Sequence, residues 1–498
     1  MKLKIFLFIL SGFLFLGCGR KGSDEPVQVA VKPTFFQLPA GGQVQFSADV
    51  SGTLDKTVQW SVTGAGSSIS TTGLYQAPLA PSTATIQAKS VADPTAVGNG
   101  AAQTTQVQKL TGEVLLPDMS QLVIGGYTVR AGITIDLNGD NILDLVAFSE
   151  STNTVRFFLG LGTAGKFNHK DISITAPVAV AVADFIPEGS NAFAADAAVA
   201  CAGPCEPNQP NIALIQGGAF TNYTITYSSN TPGSPGPGLD LSDLGPAALL
   251  AAGRFHGDVE ARNSDLVAVT ADGKLVLFLQ NKQVVPVAFD RTAPIQVGTP
   301  VQLVVADFNQ DSFLDLAVVR GGVSDVLILL GDGTGNFPSQ VSVPMPAQPI
   351  SIGVGDFNGD DIPDLAAAFS SLKSVSYSIG KGDGTFQPPT SIALSSRPEK
   401  LVVEDINLDR VVKTDRLKGN AMQDIAVSLP DEKEVYALFT DGTGSMIGSW
   451  FYKTDVAPAS LLSGFFSGPN SPSGFQSVGL VYINRSENRF YILNNANF

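Results

Sequence analysis

The sequence contains few of the residues that catalytic and nucleic-acid-binding sites commonly use. Among 498 residues there are three cysteines, two histidines and two tryptophans, and only 15% of the residues are charged. This supply of cysteine and histidine is too small for a zinc site. The formal net charge of -15 makes nucleic acid and anionic membrane surfaces poor partners. No Gly-x-Ser-x-Gly elbow, phosphate-binding loop or zinc-binding helix motif occurs, so the sequence does not predict an enzyme.

A long apolar run occurs only at the N-terminus, where two lysines precede it. Because the run is short for a membrane span, residues 1–17 are predicted to be a signal peptide. The ending Leu16-Gly17-Cys18 resembles the lipobox of bacterial lipoproteins, although Phe15 stands where that motif usually has Leu. The resemblance implies that Cys18 is acylated, that 18–26 is a tether, and that lipid anchors the chain to the outer membrane or cell surface. Cleavage further along, with loss of Cys18, is the alternative.

Residues 27–108 are predicted to form a separate all-β module, because polar and apolar residues alternate in short runs between Gly and Pro turns. Trp60 lies in the middle of one such run, where a β-sandwich would bury it. The stretch contains no cysteine, and it resembles bacterial Ig-like domains, which lack the disulfide. That resemblance implies a spacer that holds another domain away from a surface. Direct ligand binding by this module is the alternative.

The pattern Asp-x-Asn-x-Asp-x-x-x-Asp occurs three times, each time directly before a short apolar run. Side-chain oxygens at positions 1, 3, 5 and 9, with the carbonyl of position 7, can converge on one hard cation. Three carboxylates gathered without a cation would repel one another, so the pattern predicts three calcium sites. The predicted ligands are Asp136, Asn138, Asp140, Ile142 and Asp144 in the first loop, Asp307, Asn309, Asp311, Phe313 and Asp315 in the second, and Asp356, Asn358, Asp360, Ile362 and Asp364 in the third.

A fourth loop leaves calcium binding open. Asp405, Asn407 and Asp409 occupy the first three ligand positions, but the closing carboxylate, Asp424, comes only after an insertion that carries four basic residues. The sequence therefore predicts three calcium ions and allows a fourth.

Another weaker copy has Arg254 at position 1. A guanidinium there could replace the cation and pair with the carboxylates of Asp258 and Asp265. No calcium is predicted in this copy. The two histidines of the chain, His169 and His256, lie in predicted turns and are interpreted as solvated loop residues.

Each loop belongs to a longer unit in which four strands can be recognised, and the units recur about every 50 residues. Seven units can be counted, which suits a radial array of four-stranded sheets. The Asp-Phe-Asn-Gly-Asp loops, the Asp-Leu-Ala strands and the Gly-Asp-Gly-Thr-Phe turns resemble the FG-GAP (VCBS-type) repeats of integrin alpha subunits. Over about 110–498, this resemblance implies a seven-bladed β-propeller.

The predicted fold class is therefore all-β, with an Ig-like β-sandwich at 27–108 followed by a propeller of seven four-stranded blades at 109–498. The last unit reaches the C-terminus before a fourth strand can form. Residues 113–116 are predicted to supply that strand, so that both ends of the chain share one sheet.

Two connections of the second unit, 201–210 and 228–245, are unusually long and are predicted to project from the same face. In the family that the repeats resemble, ligands bind on that face, opposite the calcium loops. Cys201 and Cys205 are predicted to form a local disulfide if the chain reaches an oxidising compartment. Because 228–245 contains no predicted strand, shortening 230–243 to a Gly-Ser link is expected to leave the calcium-dependent stability nearly unchanged while abolishing attachment to the ligand.

These patterns predict a surface-anchored, calcium-binding lipoprotein whose propeller binds an extracellular protein or glycan, as an adhesion module does. One alternative is a propeller lyase or hydrolase acting on extracellular polysaccharide, since such lyases use few histidines. A structural role in an envelope assembly is the other alternative. No residue in the long connections identifies the ligand.

Overall fold

A computed structural model describes residues 26–114, 122–123, 137, 144–149, 151–160, 167–185, 195–206, 209–216, 224–226, 239–257, 264–281, 288–407, 423–458, 460–465, 478–484 and 489–496. These residues form β-strands joined by turns, with a single 3-10 turn at Pro430–Glu432. Within this part of the chain, no helix has the length and apolar character needed to cross a membrane.

The described residues 26–114, called here the N-terminal segment, contain nine strands. They are β1 (Gln28–Lys32), β2 (Phe35–Pro39), β3 (Gln43–Gln45), β4 (Ser47–Ser51), β5 (Val58–Thr63), β6 (Ser68–Ile69), β7 (Leu74–Gln76), β8 (Ser82–Ser90) and β9 (Val97–Val114). Strand β8 alternates buried and exposed side chains, as a strand with one face on a core does. It pairs with β5 and β9, and β2 pairs with β9 in parallel. Trp60 on β5 is only half-buried.

In the described residues that follow, the strands fall into seven groups, called units below, and within each unit four strands pair antiparallel in chain order. Unit one comprises β10 (Leu122–Val123), β11 (Leu145–Ser149), β12 (Thr154–Gly160) and β13 (Phe167–Ser173); unit two β14 (Pro177–Ala183), β15 (Asp196–Cys201), β16 (Ile212–Gln216) and β17 (Thr224–Thr226); unit three β18 (Ala247–Gly253), β19 (Asp265–Thr270), β20 (Lys274–Asn281) and β21 (Ala288–Arg291), with the short β22 (Ile295–Gln296) also on β20; unit four β23 (Pro300–Ala306), β24 (Asp315–Arg320), β25 (Asp325–Leu330) and β26 (Ser339–Pro344).

The remaining units have the same plan. Unit five comprises β27 (Ser351–Gly355), β28 (Asp364–Phe369), β29 (Ser374–Ser378) and β30 (Thr390–Ala393); unit six β31 (Leu401–Glu404), β32 (Asp424–Leu429), β33 (Glu434–Thr440) and β34 (Met446–Lys453); unit seven β35 (Leu461–Phe465), β36 (Val478–Asn484) and β37 (Arg489–Ala496), with a fourth strand from the N-terminal segment.

Each unit packs its apolar face on the next one. Separate buried clusters join units one and two, two and three, three and four, four and five, and five and six. Another cluster joins unit seven back to unit one, where Phe158 and Phe490 pack edge to face at 5.4 Å. The protein is therefore an all-β, repeat-containing propeller.

The fourth strand of unit seven comes from the N-terminal segment, as the sequence predicted, but from an earlier part of it. Residues 106–114 of β9 pair antiparallel with β37, whereas the prediction placed this strand at 113–116. Strand β37 itself extends to Ala496. Strand β9 is continuous across residue 108, the predicted end of the Ig-like module, so one strand serves both the N-terminal segment and the repeats.

Unit six also receives strands from the N-terminal segment. Strand β3 pairs antiparallel with β34, and β7 and β6 extend the sheet further. One apolar cluster includes Phe36 and Tyr75 of the N-terminal segment together with Phe439 and Trp450 of unit six. The predicted separate module is thus joined to the last two units by backbone hydrogen bonds and by a shared core.

Candidate metal-binding loops

The loop of unit four coils between β23 and β24, and its polar side chains turn inward. The Asp311 N–H lies 3.2 Å from Asp307 Oδ1 and 3.2 Å from Asn309 Oδ1. Asp307 Oδ2 accepts a hydrogen bond from the Ser312 N–H at 3.0 Å. Gln310 and Ser312 have φ angles of 57° and 76°, the left-handed backbone that a coil this tight requires. Positions 1, 3 and 5 therefore surround one small volume.

The loop of unit five repeats this geometry. Asp356 Oδ2 accepts from the Asp361 N–H at 2.9 Å, and Asn358 Oδ1 accepts from the Asp360 N–H at 3.0 Å. Its left-handed residues are Gly359 and Asp361, with φ angles of 76° and 68°. Because two stretches of different sequence reach the same coil, the spacing of the aspartates determines the conformation of the loop.

The first half of each loop has a donor set that suits a hard cation. In unit four, positions 1, 3 and 5 are Asp307, Asn309 and Asp311, and in both loops the Asn Nδ2 lies 2.8 Å from a carboxylate oxygen of position 5. Rotation of that amide would turn its oxygen toward the carboxylates. These oxygens are the ligands that calcium prefers. No group of three or more His, Cys, Asp or Glu side chains in the described part of the chain is gathered closely enough to hold a metal ion.

The closing aspartates already have partners in the backbone. Both are fully buried, and Asp315 accepts from the Phe308 N–H at 2.8 Å through Oδ2 and from the Gly331 N–H at 2.7 Å through Oδ1. Asp364 accepts in the same way from Phe357 and Gly380. A carboxylate in this position ties the first strand of its unit to the end of the third strand.

Burial raises the pKa of Asp315 to about 7. The hydrogen bonds from the two backbone N–H groups lower this pKa, whereas the nearby carboxylates of Asp307 and Asp311 raise it further. Burial likewise raises the pKa of Asp364 to about 7, with the carboxylates of Asp356 and Asp360 adding to the rise and the N–H groups of Gly380 and Phe357 opposing it. A cation beside these carboxylates would favour their ionised forms.

The same carboxylate bridge occurs where the metal pattern is absent. In unit three, Asp265 accepts from the Phe255 and Gln280 N–H groups at 2.8 and 2.9 Å, and in unit two Asp196 accepts from the Phe185 N–H at 2.9 Å. Six aspartates share this place at the start of the second strand, namely Asp144, Asp196, Asp265, Asp315, Asp364 and Asp424. In the intact loops this aspartate was predicted to be a metal ligand, and Asp265 was predicted to pair with Arg254; the recurrence of the aspartate in degraded units was the signal for the bridge to the backbone.

We expect Asp315→Asn to destabilise the calcium-free protein by about 1–3 kcal/mol. The new amide would aim an N–H donor at a buried backbone N–H and leave it unsatisfied. Asp196→Asn should cost a similar amount, although unit two lacks the metal pattern. Urea unfolding in EGTA measures both, with the half-exposed Asp307→Asn as the control from the same loop. An equal effect of all three substitutions would contradict the bridging role.

The other predicted ligands fall partly outside the described residues. Asp136, Asn138, Asp140 and Ile142 of unit one and Asp409 of unit six lie there. In unit one, Asp144 accepts from the Leu137 and Gly160 N–H groups at 2.9 and 2.8 Å. In unit six, Asp424 accepts from the Ile406, Asn407 and Thr440 N–H groups at 3.0, 3.3 and 3.1 Å, so the insertion before Asp424 does not displace the bridge.

In unit three a histidine stands beside the closing carboxylate. His256 Nδ1 lies 2.8 Å from Asp265 Oδ1, and the side chain of His256 is about three-quarters covered. The predicted partner of Asp265 was Arg254, and His256 was interpreted as solvated. The interpretation of His256 is wrong, because the tight turn after Phe255 brings its ring against the buried carboxylate. Asp258 lies outside the described residues.

A turn of the next unit covers each loop. The Gly384 N–H of unit five donates to the Phe308 carbonyl of unit four at 3.1 Å, and the Gly444 N–H of unit six donates to the Phe357 carbonyl of unit five at 3.0 Å. These glycines belong to Gly-x-Gly turns in which both have positive φ, a backbone that other residues rarely adopt. In unit six the Asn407 carbonyl instead accepts from Gln37 Nε2 of the N-terminal segment at 3.0 Å.

The end of the units that carries the metal-binding loops is called here the loop end, and the other the opposite end. At the opposite end of unit two, a disulfide joins Cys201 and Cys205, with the Cα atoms 5.3 Å apart. The Cys205 N–H donates to the Pro210 carbonyl at 3.1 Å, and the Cys201 N–H to the Asn211 carbonyl at 2.9 Å. The disulfide and these two hydrogen bonds therefore hold the described parts of this connection, 201–206 and 209–211, against each other.

Residues 239–245 lie beside this connection. Asn211 Oδ1 accepts from the Leu241 N–H at 2.7 Å, which joins the two stretches directly. Arg291 of unit three donates to the Asp240 carbonyl at 2.8 Å and to both carboxylate oxygens of Asp243 at 2.6 and 2.8 Å. Its guanidinium lowers the pKa of Asp243. Segment 239–245 is thus fixed between units two and three.

The prediction that 230–243 can be removed without loss of stability is wrong for its last part. Leu239 and Leu241 are completely buried in the apolar cluster between units two and three. A segment without a strand can still fill a core, and the alternation of leucine with polar residues in Leu239-Asp240-Leu241-Ser242 was the signal for it.

A family model described as an FG-GAP-like repeat matches residues 307–367, the stretch that contains the loops of units four and five. The chain is similar to that family over these residues. A search of curated proteins finds no match to this chain.

Several solved structures are similar over most of the chain. One is a lectin from Agrocybe aegerita, described for its specific recognition of non-reducing terminal N-acetylglucosamine. The two sequences are 14% identical, the match covers 73% of this chain and 86% of the lectin, and the TM-score is 0.44. Sqt1 of Saccharomyces cerevisiae is 10% identical to this chain, and the match covers 78% of this chain and 98% of Sqt1, with a TM-score of 0.46. A streptogramin B lyase is 10% identical to this chain, and the match covers 76% of this chain and 98% of the lyase, with a TM-score of 0.39.

Proposed function

We propose that the chain is an exported lipoprotein in which a calcium-stabilised, seven-bladed propeller binds an extracellular protein or glycan. The observation that carries the binding role is the junction of 201–211 with 239–245 at the opposite end. A disulfide, the Asn211 hydrogen bond and the Arg291 ion pair hold these two stretches in place. Loops already ordered before binding lose less conformational entropy when a ligand arrives, so they suit recognition.

Calcium has a supporting place in this proposal. Asp307, Asn309 and Asp311 would hold one ion, and Asp356, Asn358 and Asp360 another, while the corresponding residues of unit one would hold a third. A bound ion would neutralise the repulsion between the carboxylates. The closing aspartates would fix the loop to the sheet through their backbone hydrogen bonds, so the chain itself sets the coil around the ion.

The ligand surface would include the exposed residues Ala202, Pro204, Glu206, Ser242 and Asp243. We expect the double variant Ala202→Arg and Ser242→Arg to bind its ligand at least ten times more weakly. Neither side chain lies in the core, so two added guanidinium groups should obstruct the surface without unfolding the protein. Ser371→Arg, in an exposed turn at the same end of unit five, is the matched control.

Binding to a glycan array and to extracellular matrix proteins, with the two variants beside the original, measures this effect. Equal binding by all three proteins would place the ligand site elsewhere. A reducing-sugar assay and an assay for unsaturated products on the same glycans separate the binding role from the enzymatic alternative, since turnover would replace the proposal of a binding module.

Lipid anchoring depends on Cys18. We expect a palmitate analogue to label the original protein in growing bacteria and not Cys18→Ser, because the thioether on Cys18 would be the attachment point for diacylglycerol. Cys201→Ser with Cys205→Ser is the control, since it removes the other two cysteines and should retain the label. Equal labelling of Cys18→Ser would refute the anchor.

A further inference from the structure

The N-terminal segment lies at the loop end of units six and seven. Strand β37 runs from the opposite end of unit seven to its loop end. Strand β9 pairs with it antiparallel, so Gln106 lies beside Ala496 at the loop end and Val114 lies beside Arg489 at the opposite end. Residues 97–105 of β9 therefore continue beyond the sheet on the side of the loop end. Nine residues of a strand span about 30 Å.

Two further contacts attach the N-terminal segment at the same end. Gln37 Nε2 donates to the carbonyl of Asn407, which lies in the loop between β31 and β32, through a buried hydrogen bond of 3.0 Å. Strand β3 pairs with Ser449 and Gly448, near the start of β34 and thus near the loop end of unit six. A Cβ at Gly448 would stand 2.8 Å from the Gln43 carbonyl oxygen, so glycine permits this close pairing.

The chain enters the N-terminal segment at the end farthest from the repeats. Strand β1 crosses the first residues of β9, where a Cβ on Gly98 would stand 2.6 Å from the Val29 carbonyl oxygen and a Cβ on Gly100 would stand 2.9 Å from Val31 Cγ1. These glycines precede the part of β9 that joins unit seven. Residue 28 is thus separated from the repeats by most of the N-terminal segment.

We propose that the N-terminal segment fixes the orientation of the propeller on the membrane, with the loop end toward the lipid and the opposite end outward. This inference rests on the proposed anchor at Cys18. Nine residues lie between Cys18 and Gln28, and these ten steps of the chain reach at most about 35 Å, so the entry end of the N-terminal segment stays nearest the membrane. The attachment through β9, β3 and Gln37 prevents the propeller from turning over.

The orientation determines which partner the protein meets. The surface formed by 201–211 and 239–245 lies at the outward end, where it is open to macromolecules that approach from outside the cell. The metal-binding loops face the envelope. The ligand is therefore a glycan or protein of another surface or of the surrounding matrix, and not a component of the anchoring membrane.

Energy transfer to labelled lipid tests this orientation. Two single-cysteine variants of the full-length lipoprotein, Lys381→Cys at the loop end of unit five and Ser371→Cys at its opposite end, carry a donor dye; both positions are exposed. The native Cys201 and Cys205 are held in their disulfide. The proteins are reconstituted in phosphatidylcholine and phosphatidylglycerol vesicles that contain a headgroup-labelled acceptor lipid. We expect at least twofold more efficient transfer from position 381 than from position 371.

Equal transfer from both positions, or more transfer from position 371, overturns the orientation. Flotation of the vesicles, with Cys18→Ser as the control, is measured on the same samples. If the original protein does not float with the vesicles, the anchor is absent and the inference falls with it, whereas flotation with equal transfer refutes the orientation alone. Melting curves equal to that of the original protein show that both variants are folded.

Discussion

Removing calcium is expected to lower the melting temperature of this protein by several degrees. In units four and five each proposed site brings two carboxylates and one Asn side chain together, and a turn of the next unit covers each of these loops through a hydrogen bond to the carbonyl of Phe308 or Phe357. An ion at a hundredfold excess over its dissociation constant stabilises the folded state by about 2.7 kcal/mol per site. Extracellular sites often have dissociation constants of about 0.1–1 mM, so the gain should grow across the millimolar range of calcium.

Calorimetry in EGTA and at rising calcium concentrations measures this shift, with magnesium as the comparison ion. The pair of substitutions Asp307→Ala and Asp356→Ala should remove about two-thirds of the shift, since two of three proposed sites lose their first ligand. Asp332→Ala with Asp383→Ala removes the same charge from exposed turns in the same units and should leave the shift intact. An unchanged melting temperature after verified metal removal would refute the calcium proposal.

The second large effect is expected at Phe36, where the N-terminal segment meets unit six. Its ring is 2% exposed and packs edge to face on Phe439 at a centroid distance of 6.2 Å. Truncating a buried phenylalanine costs about 3–5 kcal/mol because a cavity remains. Phe36→Ala should therefore destabilise unit six together with the N-terminal segment, and both should unfold at a lower denaturant concentration.

Leu54→Ala is the control, because Leu54 is fully exposed in the same N-terminal segment. Hydrogen exchange of β33 and β34 shows whether the loss reaches the repeats. If Phe36→Ala accelerates exchange only in β1 to β8, the N-terminal segment is an independent module and its attachment to unit six contributes no stability.

The sequence determined those features that short, local patterns encode. The spacing of Asp307, Asn309 and Asp311 dictates a coil, because side-chain oxygens two residues apart can satisfy the N–H groups of one tight turn. Alternating and continuous apolar runs determined the strands and their four-stranded units. The missing strand of unit seven was also predictable, since an open edge needs a partner and the chain before unit one could supply it.

Only the tertiary structure decided which long-range partners these elements take. The closing aspartates have backbone partners up to 18 residues away, such as Asp424 with Ile406, and no spacing rule distinguishes such a bridge from a metal ligand. Nor does local sequence encode that Gln37 contacts Asn407, 370 residues later, or that Leu239 and Leu241 fill the space between two units. These contacts depend on shape and on burial across the whole fold, and the contact between Gln37 and Asn407 joins the N-terminal segment to unit six.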